Sequence, residues 1–136
     1  MEKLVTGIGV LLRTDHGTFL FQERDKNIKR NPGVITPFGG GINKSETPIE
    51  CAIRELNEEL ELRVNIKDLK EIGIFQSHFS PGTYIQIYLV EGVDLSDVTL
   101  HEGKNVKEMS TEETLRHPQV TNFTKEVIAT LKTISQ

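Results

Sequence analysis

Three glutamates, Glu55, Glu58 and Glu59, follow Arg54 closely in the run Arg54-Glu55-Leu56-Asn57-Glu58-Glu59, a short way beyond the glycines Gly39-Gly40-Gly41. On a helix Glu55 and Glu59 lie one turn apart, and Glu58 projects between them. Like charges at these spacings destabilise a helix by roughly 0.2–0.5 kcal/mol per pair, so the cluster suits a merely solvated face poorly. A divalent cation removes the repulsion. Carboxylates clustered without His or Cys partners favour a hard, oxygen-preferring ion, Mg²⁺ or Mn²⁺, over zinc. The net charge of −4 argues against a general nucleic-acid surface, because phosphate-backbone binding needs a basic patch. A metal bridge is then the natural way to hold an anionic substrate.

These carboxylates need a rigid element, and the sequence supplies one. Thr47 reads as an N-cap, Pro48 as the first helical residue and Glu50 as the closing member of a capping box. From there to Leu60, the apolar residues Ile49, Ala52, Ile53, Leu56 and Leu60 recur at three- and four-residue spacing, which predicts one buried helical face. Upstream, Ile35-Thr36-Pro37-Phe38 reads as a strand entering a tight loop at Gly39-Gly40-Gly41, where backbone approaches metal and phosphate closely.

Taken together, Gly40, Glu46, Arg54, Glu55, Glu58 and Glu59 stand at the spacings of the Nudix box: glycine, five residues, glutamate, seven residues, Arg-Glu, an aliphatic, one residue, Glu-Glu. The chain therefore resembles the Nudix family. The resemblance implies an α/β fold, an α/β/α sandwich with a mixed central sheet. It also implies metal-dependent hydrolysis of a nucleoside-diphosphate-linked compound. By the same resemblance Gly40, Glu55, Glu58 and Glu59 serve the metal, Arg54 orients a neighbouring glutamate, and Glu46 is an outer carboxylate or a first-turn helix acid. Phe38 stands where the family more often has proline. Glu61 replaces the final glycine of the box, a position that favours left-handed geometry, and it either extends the helix or adds a carboxylate near the site.

Outside the box, Glu102-Gly103 resembles the acid-glycine pair that gives MutT-type members a further metal ligand or base; an exposed loop acid is the other reading. Arg24 matches an arginine often used against substrate, with Gly39 and Gly41 as backbone contacts. Asn122 or Thr124 is similarly placed to hydrogen-bond a base edge, and an N-cap role explains either as well. Lys26, Lys29, Arg30 and Lys44 flank the glycines and either meet outer phosphates or are solvated. His78 and His101 read as proton carriers near the mouth of the site or as surface residues.

The chain of 136 residues suits one domain, 1–136. Strands are expected over Leu4 to Arg13, Thr18 to Arg24, Leu69 to Phe79 and Thr83 to Val90, in two hairpins turning at Asp15-His16-Gly17 and Ser80-Pro81-Gly82. A short helix is expected from Ser110 or Thr111 to Arg116, and a longer one from Asn122 to Ile134. Cys51, the single cysteine, rules out an internal disulfide and reads as a small packed residue. With neither a secretory leader nor a membrane-spanning stretch, the expected location is cytoplasmic, with no membrane partner. The substrate expected first is a nucleoside triphosphate, as in MutT, and then a nucleotide sugar. A non-catalytic nucleotide-binding module would have lost box carboxylates that this chain keeps. A prenyl diphosphate isomerase would need cysteine chemistry for which Cys51 has no evident geometry. A homodimer is common among similar proteins.

Overall fold

In the computed structural model, which describes residues 3–25, 27, 33–101 and 104–134, side-chain alternation along the first strand separates two hydrophobic cores. The elements in chain order are β1 (Leu4–Arg13), β2 (Phe19–Arg24), β3 (Ile35–Thr36), β4 (Phe38–Gly41), α1 (Pro48–Leu60), β5 (Lys70–Gln76), β6 (Thr83–Glu91), β7 (Lys104–Met109), α2 (Thr111–Arg116) and α3 (Asn122–Ile134). Ile8, Val10 and Leu12 of β1 turn toward α1, where they join Ala52, Leu56 and Leu60. Leu11 turns the other way and packs with Val127, Ile128 and Leu131 of α3. That is the two-residue period of an extended chain. The sheet between two helical layers is the α/β/α sandwich expected from the sequence.

The sheet is mixed. β1 runs parallel to β6 along its whole length, and β5 lies antiparallel to β6 as the outer hairpin partner. On its other edge β1 is shared: Leu12 and Arg13 pair with β2, while Gly7 to Val10 pair with β4. β2 pairs outward with β7 along its whole length and, on the edge it shares with β1, with β3 at Gln22 and Glu23. β3 and β4, separated only by Pro37, lie where β1 and β2 diverge, β3 pairing with β2 and β4 with β1.

Helix α1 forms for the reasons its sequence gives. Thr47 Oγ1 accepts from the Glu50 amide at 3.3 Å, and the Thr47 amide donates to Glu50 Oε1 at 2.8 Å, closing the capping box. At the other end Glu61 takes left-handed geometry (φ 52°, ψ 30°), and its amide donates to the Asn57 carbonyl. It is the only non-glycine residue with positive φ among those described. Such geometry costs an L-residue roughly 1–2 kcal/mol, which is why glycine is the common choice there. The helix therefore stops where the glycine pattern would stop it and is not extended by Glu61.

Three expectations need correction. Gly39-Gly40-Gly41 is not a tight loop but part of strand β4, with Gly9 opposite Gly39 and Ile8 opposite Gly40. Side-chain-free residues here reflect close packing, since a Cβ on Gly39 would run into the backbone of Ile8 and Gly9. Strand β7 was not expected, because Lys104-Asn105-Val106-Lys107-Glu108-Met109 is mostly polar and owes its conformation to pairing with β2. The first arm of the outer hairpin ends at Gln76, and Ser77 to Phe79 belong to the turn. Leu56, fully buried at the centre of the α1 face, sets the seating of the helix. Truncation to alanine should cost about 2–5 kcal/mol in chemical denaturation, the range for a large buried aliphatic that leaves a cavity.

Candidate active site

Arg54 organises the acidic end of the box. Its Nε and Nη2 grip Glu46 bidentately, at 2.6 and 3.0 Å. Nη1 donates to Glu55 Oε1 at 2.9 Å and to Glu58 Oε2 at 3.1 Å, and Nη2 reaches the Gly41 carbonyl at 3.3 Å. A planar fork with five donors can serve three carboxylates at once, which a lysine ammonium cannot do in fixed geometry. Glu46 also accepts from the Asn43 amide at 3.0 Å. The Arg54 hydrogen bonds, aided by that amide, pull the Glu46 carboxyl down to about 2. Reciprocally, the Glu46 hydrogen bond holds the guanidinium above its ordinary value.

Exposure grades the carboxylates. The Glu55 side chain keeps 14% of its surface exposed, whereas Glu58 keeps 56%. Glu59 turns Oε2 into a buried position. Glu55 lies against Gly40: a Cβ there would stand 2.7 Å from Glu55 Oε1 and 2.8 Å from its Cδ. Gly40 is thus a cradle for this carboxylate. Cys51 is buried, its thiol donating to the Gly41 carbonyl at 3.4 Å. Burial above all pushes that thiol up to about 12, so it stays protonated as a small packed residue. The Gly41 carbonyl thus accepts from both Arg54 and Cys51, and Gly41 is not among the residues that line the cavity described next.

A cavity of about 530 Å³ opens on the opposite face of β4. Arg24, Gly39 and Asn122, singled out from sequence alone, all line it, together with Gln22, Phe79 and Phe123. Its roof follows from alternation: Gly9 and Gly39 are cross-strand partners facing this side, whereas Ile8 and Gly40 face α1. One strand's thickness therefore separates the cavity from the carboxylates. Thr124 is buried, with its hydroxyl 2.6 Å from that of Thr121 and its amide donating to Thr121, a helix-capping arrangement.

Sequence reasoning overlooked Phe79 and Phe123. Phe79 is 74% exposed at the rim, although its turn is held by amides of Phe79 and Ser80 donating to Ser77 Oγ. A large apolar residue beside a Ser-Pro-Gly turn was the available signal. His78 stands at the same rim, edge-on to Phe123 and 3.3 Å from Glu126. His101 lies instead 3.6 Å from Glu61, at the end of α1. Lys44 is exposed. Glu102, Gly103, Lys26, Lys29 and Arg30 lie outside the described residues.

A box helix presenting Arg54 and three glutamates, seated on a mixed sheet within an α/β/α sandwich, defines the class. The chain belongs to the Nudix family, whose NUDIX domain model matches residues 3–131. Among solved structures it is similar to the MutT protein of Methanosarcina mazei Go1, with TM-score 0.78 and 20% identity, covering 100% of this chain and 99% of that one. It is also similar to the Escherichia coli ORF135 protein, with TM-score 0.73 and 19% identity, covering 98% and 91%. At such identities the likeness is one of fold. The m7GpppN-mRNA hydrolase NUDT17 of Xenopus laevis is 32% identical over 75 residues, covering 55% of this chain and 25% of that protein. The match thus spans only a quarter of that relative's length.

Nudix hydrolases generally use divalent metals, and the donor chemistry here fits a hard cation: carboxylate oxygens, with the one nearby thiol kept protonated by burial. Among the described residues no three such groups are drawn together as a ready coordination sphere. Glu55 and Glu58 are both turned onto Arg54 Nη1, and Glu102 lies outside the described residues.

Two outcomes test this arrangement. Gly40→Ala pushes on the mobile end of a side chain, so the unfolding midpoint should change little. Divalent-metal affinity, measured by titration, should fall roughly tenfold, as for a displaced or misoriented ligand. Glu46 titrates below its ordinary 4.5, so its stabilisation is complete above that pH and is lost as pH falls toward about 2. In thermal melts across that window, the advantage of the native protein over Glu46→Gln should shrink and vanish at the acid end.

Proposed function

We propose that the chain is a single catalytic Nudix domain that hydrolyses a phosphoanhydride in a nucleoside-diphosphate-linked compound, a nucleoside triphosphate first of all. The observation that carries this reading is the placement of a partly apolar cavity of about 530 Å³, within the range of small-molecule pockets, and a carboxylate cluster on the two faces of one glycine strand. A nucleoside held in the cavity can pass its polyphosphate along the edge of β4 toward α1. Arg24 and Asn122 supply donors for a base or sugar, and Phe79 and Phe123 supply faces and edges for stacking.

Glu55, Glu58 and Glu59, with Glu102 and the backbone of Gly40, would hold the Mg²⁺ or Mn²⁺. A bound cation supplies neutralisation of the polyphosphate and lowers the pKa of an attacking water. One carboxylate, from the helix set or Glu102, takes the water's proton. The water oxygen bonds to phosphorus as the bridging P–O bond breaks, and a triphosphate yields a nucleoside monophosphate and pyrophosphate. Arg54 holds Glu55 and Glu58 in place and does not touch substrate. Of Glu55 and Glu58, the half-exposed Glu58 is the more open to solvent.

Nucleotide sugars present the same linkage with a different outer group and are the second reading. The frog relative's name adds a capped nucleotide to the compounds worth trying. A cytoplasmic location accords with these substrates and with one buried, unpaired cysteine; among the described residues no helix is long and apolar enough to cross a membrane.

Phosphate and pyrophosphate release should be measured with Mg²⁺ across nucleoside triphosphates, nucleotide sugars, dinucleotides and a cap analogue, beside Glu58→Gln. Metal-dependent turnover is expected, falling in the variant by several kcal/mol of barrier, on the order of 10³-fold or more. Binding without turnover across the whole panel would identify a nucleotide-binding module instead.

A further inference from the structure

Phe79 is the most exposed of the large apolar side chains among the described residues, yet the turn that carries it is held firmly. The Ser77 amide donates to the Thr83 carbonyl at 2.9 Å, and the Thr83 amide and hydroxyl both donate to the Ser80 carbonyl, at 3.2 and 2.7 Å. Ser77 Oγ accepts from the amides of Phe79 and Ser80, and Gly82 supplies the left-handed geometry (φ 82°) that lets the turn close. Among the described residues Phe79 makes no ring contact with another aromatic side chain. A fixed, open aromatic face contributes little burial to the fold; at the rim of a cavity it offers a surface to a planar ligand.

The cavity is lined by Ser77, His78 and Phe79 from this turn and by Thr121, Asn122 and Phe123 from the start of α3, and His78 joins the two elements. Its ring meets Phe123 edge-on, with centroids 5.4 Å apart and planes at 88°, and Phe123 in turn meets Phe75 of β5 edge-on at 6.3 Å. Its Nε2 lies 3.3 Å from Oε1 of Glu126, one helical turn beyond Phe123. Both partners of that polar contact are about half exposed, so it stabilises little. The edge-to-face contact carries more of the docking, because Phe123 and Phe75 are themselves partly buried against the α3 core.

We propose that His78 is a positioning residue: by docking the 77–82 turn on Phe123 of α3 it holds the Phe79 ring where a nucleobase in the cavity stacks on it. The proposal rests on the reading of the cavity as the nucleoside site. That cavity lies on the other face of β4 from the helix carboxylates, so His78 governs the hold on the base and not proton transfer at phosphorus.

The test compares binding of the α,β-methylene analogues of the four nucleoside triphosphates with binding of tripolyphosphate, all with Mg²⁺ and the intact protein, beside KM and kcat for the nucleotide that the panel turns over. Phe79→Ala should bind the preferred analogue roughly tenfold more weakly, the order of one lost base–aromatic stack, and tripolyphosphate as before. His78→Gln should weaken the analogue severalfold and raise KM with kcat unchanged. His78→Phe keeps a ring edge on Phe123 and should stay close to the native protein. In the Phe79→Ala background, His78→Gln should add nothing further. Additive losses in that double variant would overturn the proposal, because His78 would then touch the ligand itself. An equal loss of tripolyphosphate binding in His78→Gln, the mark of a general structural effect, would overturn it too. Native affinity in His78→Gln beside a weakened Phe79→Ala would keep the stack and overturn the positioning. A native protein that binds none of the analogues more tightly than tripolyphosphate would remove the nucleoside reading of the cavity, and the proposal with it.

Discussion

Packing several carboxylates onto one end of a helix is possible only if something offsets their repulsion before any metal arrives, and here that is the Arg54 guanidinium. Its fork joins Glu46 from the loop before the helix, Glu55 and Glu58 from the helix and the Gly41 carbonyl from strand β4. The box is therefore a three-way joint between loop, helix and sheet. Charge-assisted hydrogen bonds of this kind are short and directional, so the joint sets orientation as well as charge balance. Glu46, held ionised by Arg54, serves as the counter-charge that keeps the guanidinium in place. A cation at Glu55 and Glu58 would compete with Arg54 for both carboxylates, in a cluster that one guanidinium leaves net negative but already ordered.

The second constraint is the thinness of the barrier between the cavity and the carboxylates. β4 has glycine at three of its four positions, and β1 carries glycine opposite it at Gly7 and Gly9. A Cβ at Gly9 would meet Ile87 at 2.9 Å, and one at Gly40 would displace Glu55. The paired strands can thus place a carboxylate directly on one face and open a cavity on the other. With ordinary side chains at these positions the cavity would fill and the carboxylate would be pushed off the sheet.

Much of this was legible in the sequence, because the informative signals were local. The cap, the first-turn proline and the apolar stripe of α1 act within a few residues of one another, and they placed Pro48–Leu60 and the relative positions of Glu55, Glu58 and Glu59. The α3 span Asn122–Ile134 and the outer hairpin were legible for the same reason. Strand β7 was not, since only Val106 and Met109 mark an apolar pattern within it. The glycines of β4 were read as a loop because glycine in isolation signals a turn. Their extended conformation comes from pairing with β1, some thirty residues earlier in the chain.

By itself the sequence determined the chemistry available: oxygen ligands spaced on a helix, an arginine among them, a chain that belongs to the Nudix family, and a glutamate where the box has glycine. Residue type and short-range periodicity suffice for that, because helical geometry converts spacing directly into direction. Only the tertiary structure decided that Arg24, Gly39 and Asn122 share one cavity, that the Gly41 carbonyl accepts from Arg54, that Phe79 stands at the rim, and that His101 meets Glu61. Each of these depends on strand register and on which edge of β1 a strand occupies. A shift of one residue in register reverses the face a side chain presents, and register is set by packing between distant segments, which no local pattern encodes.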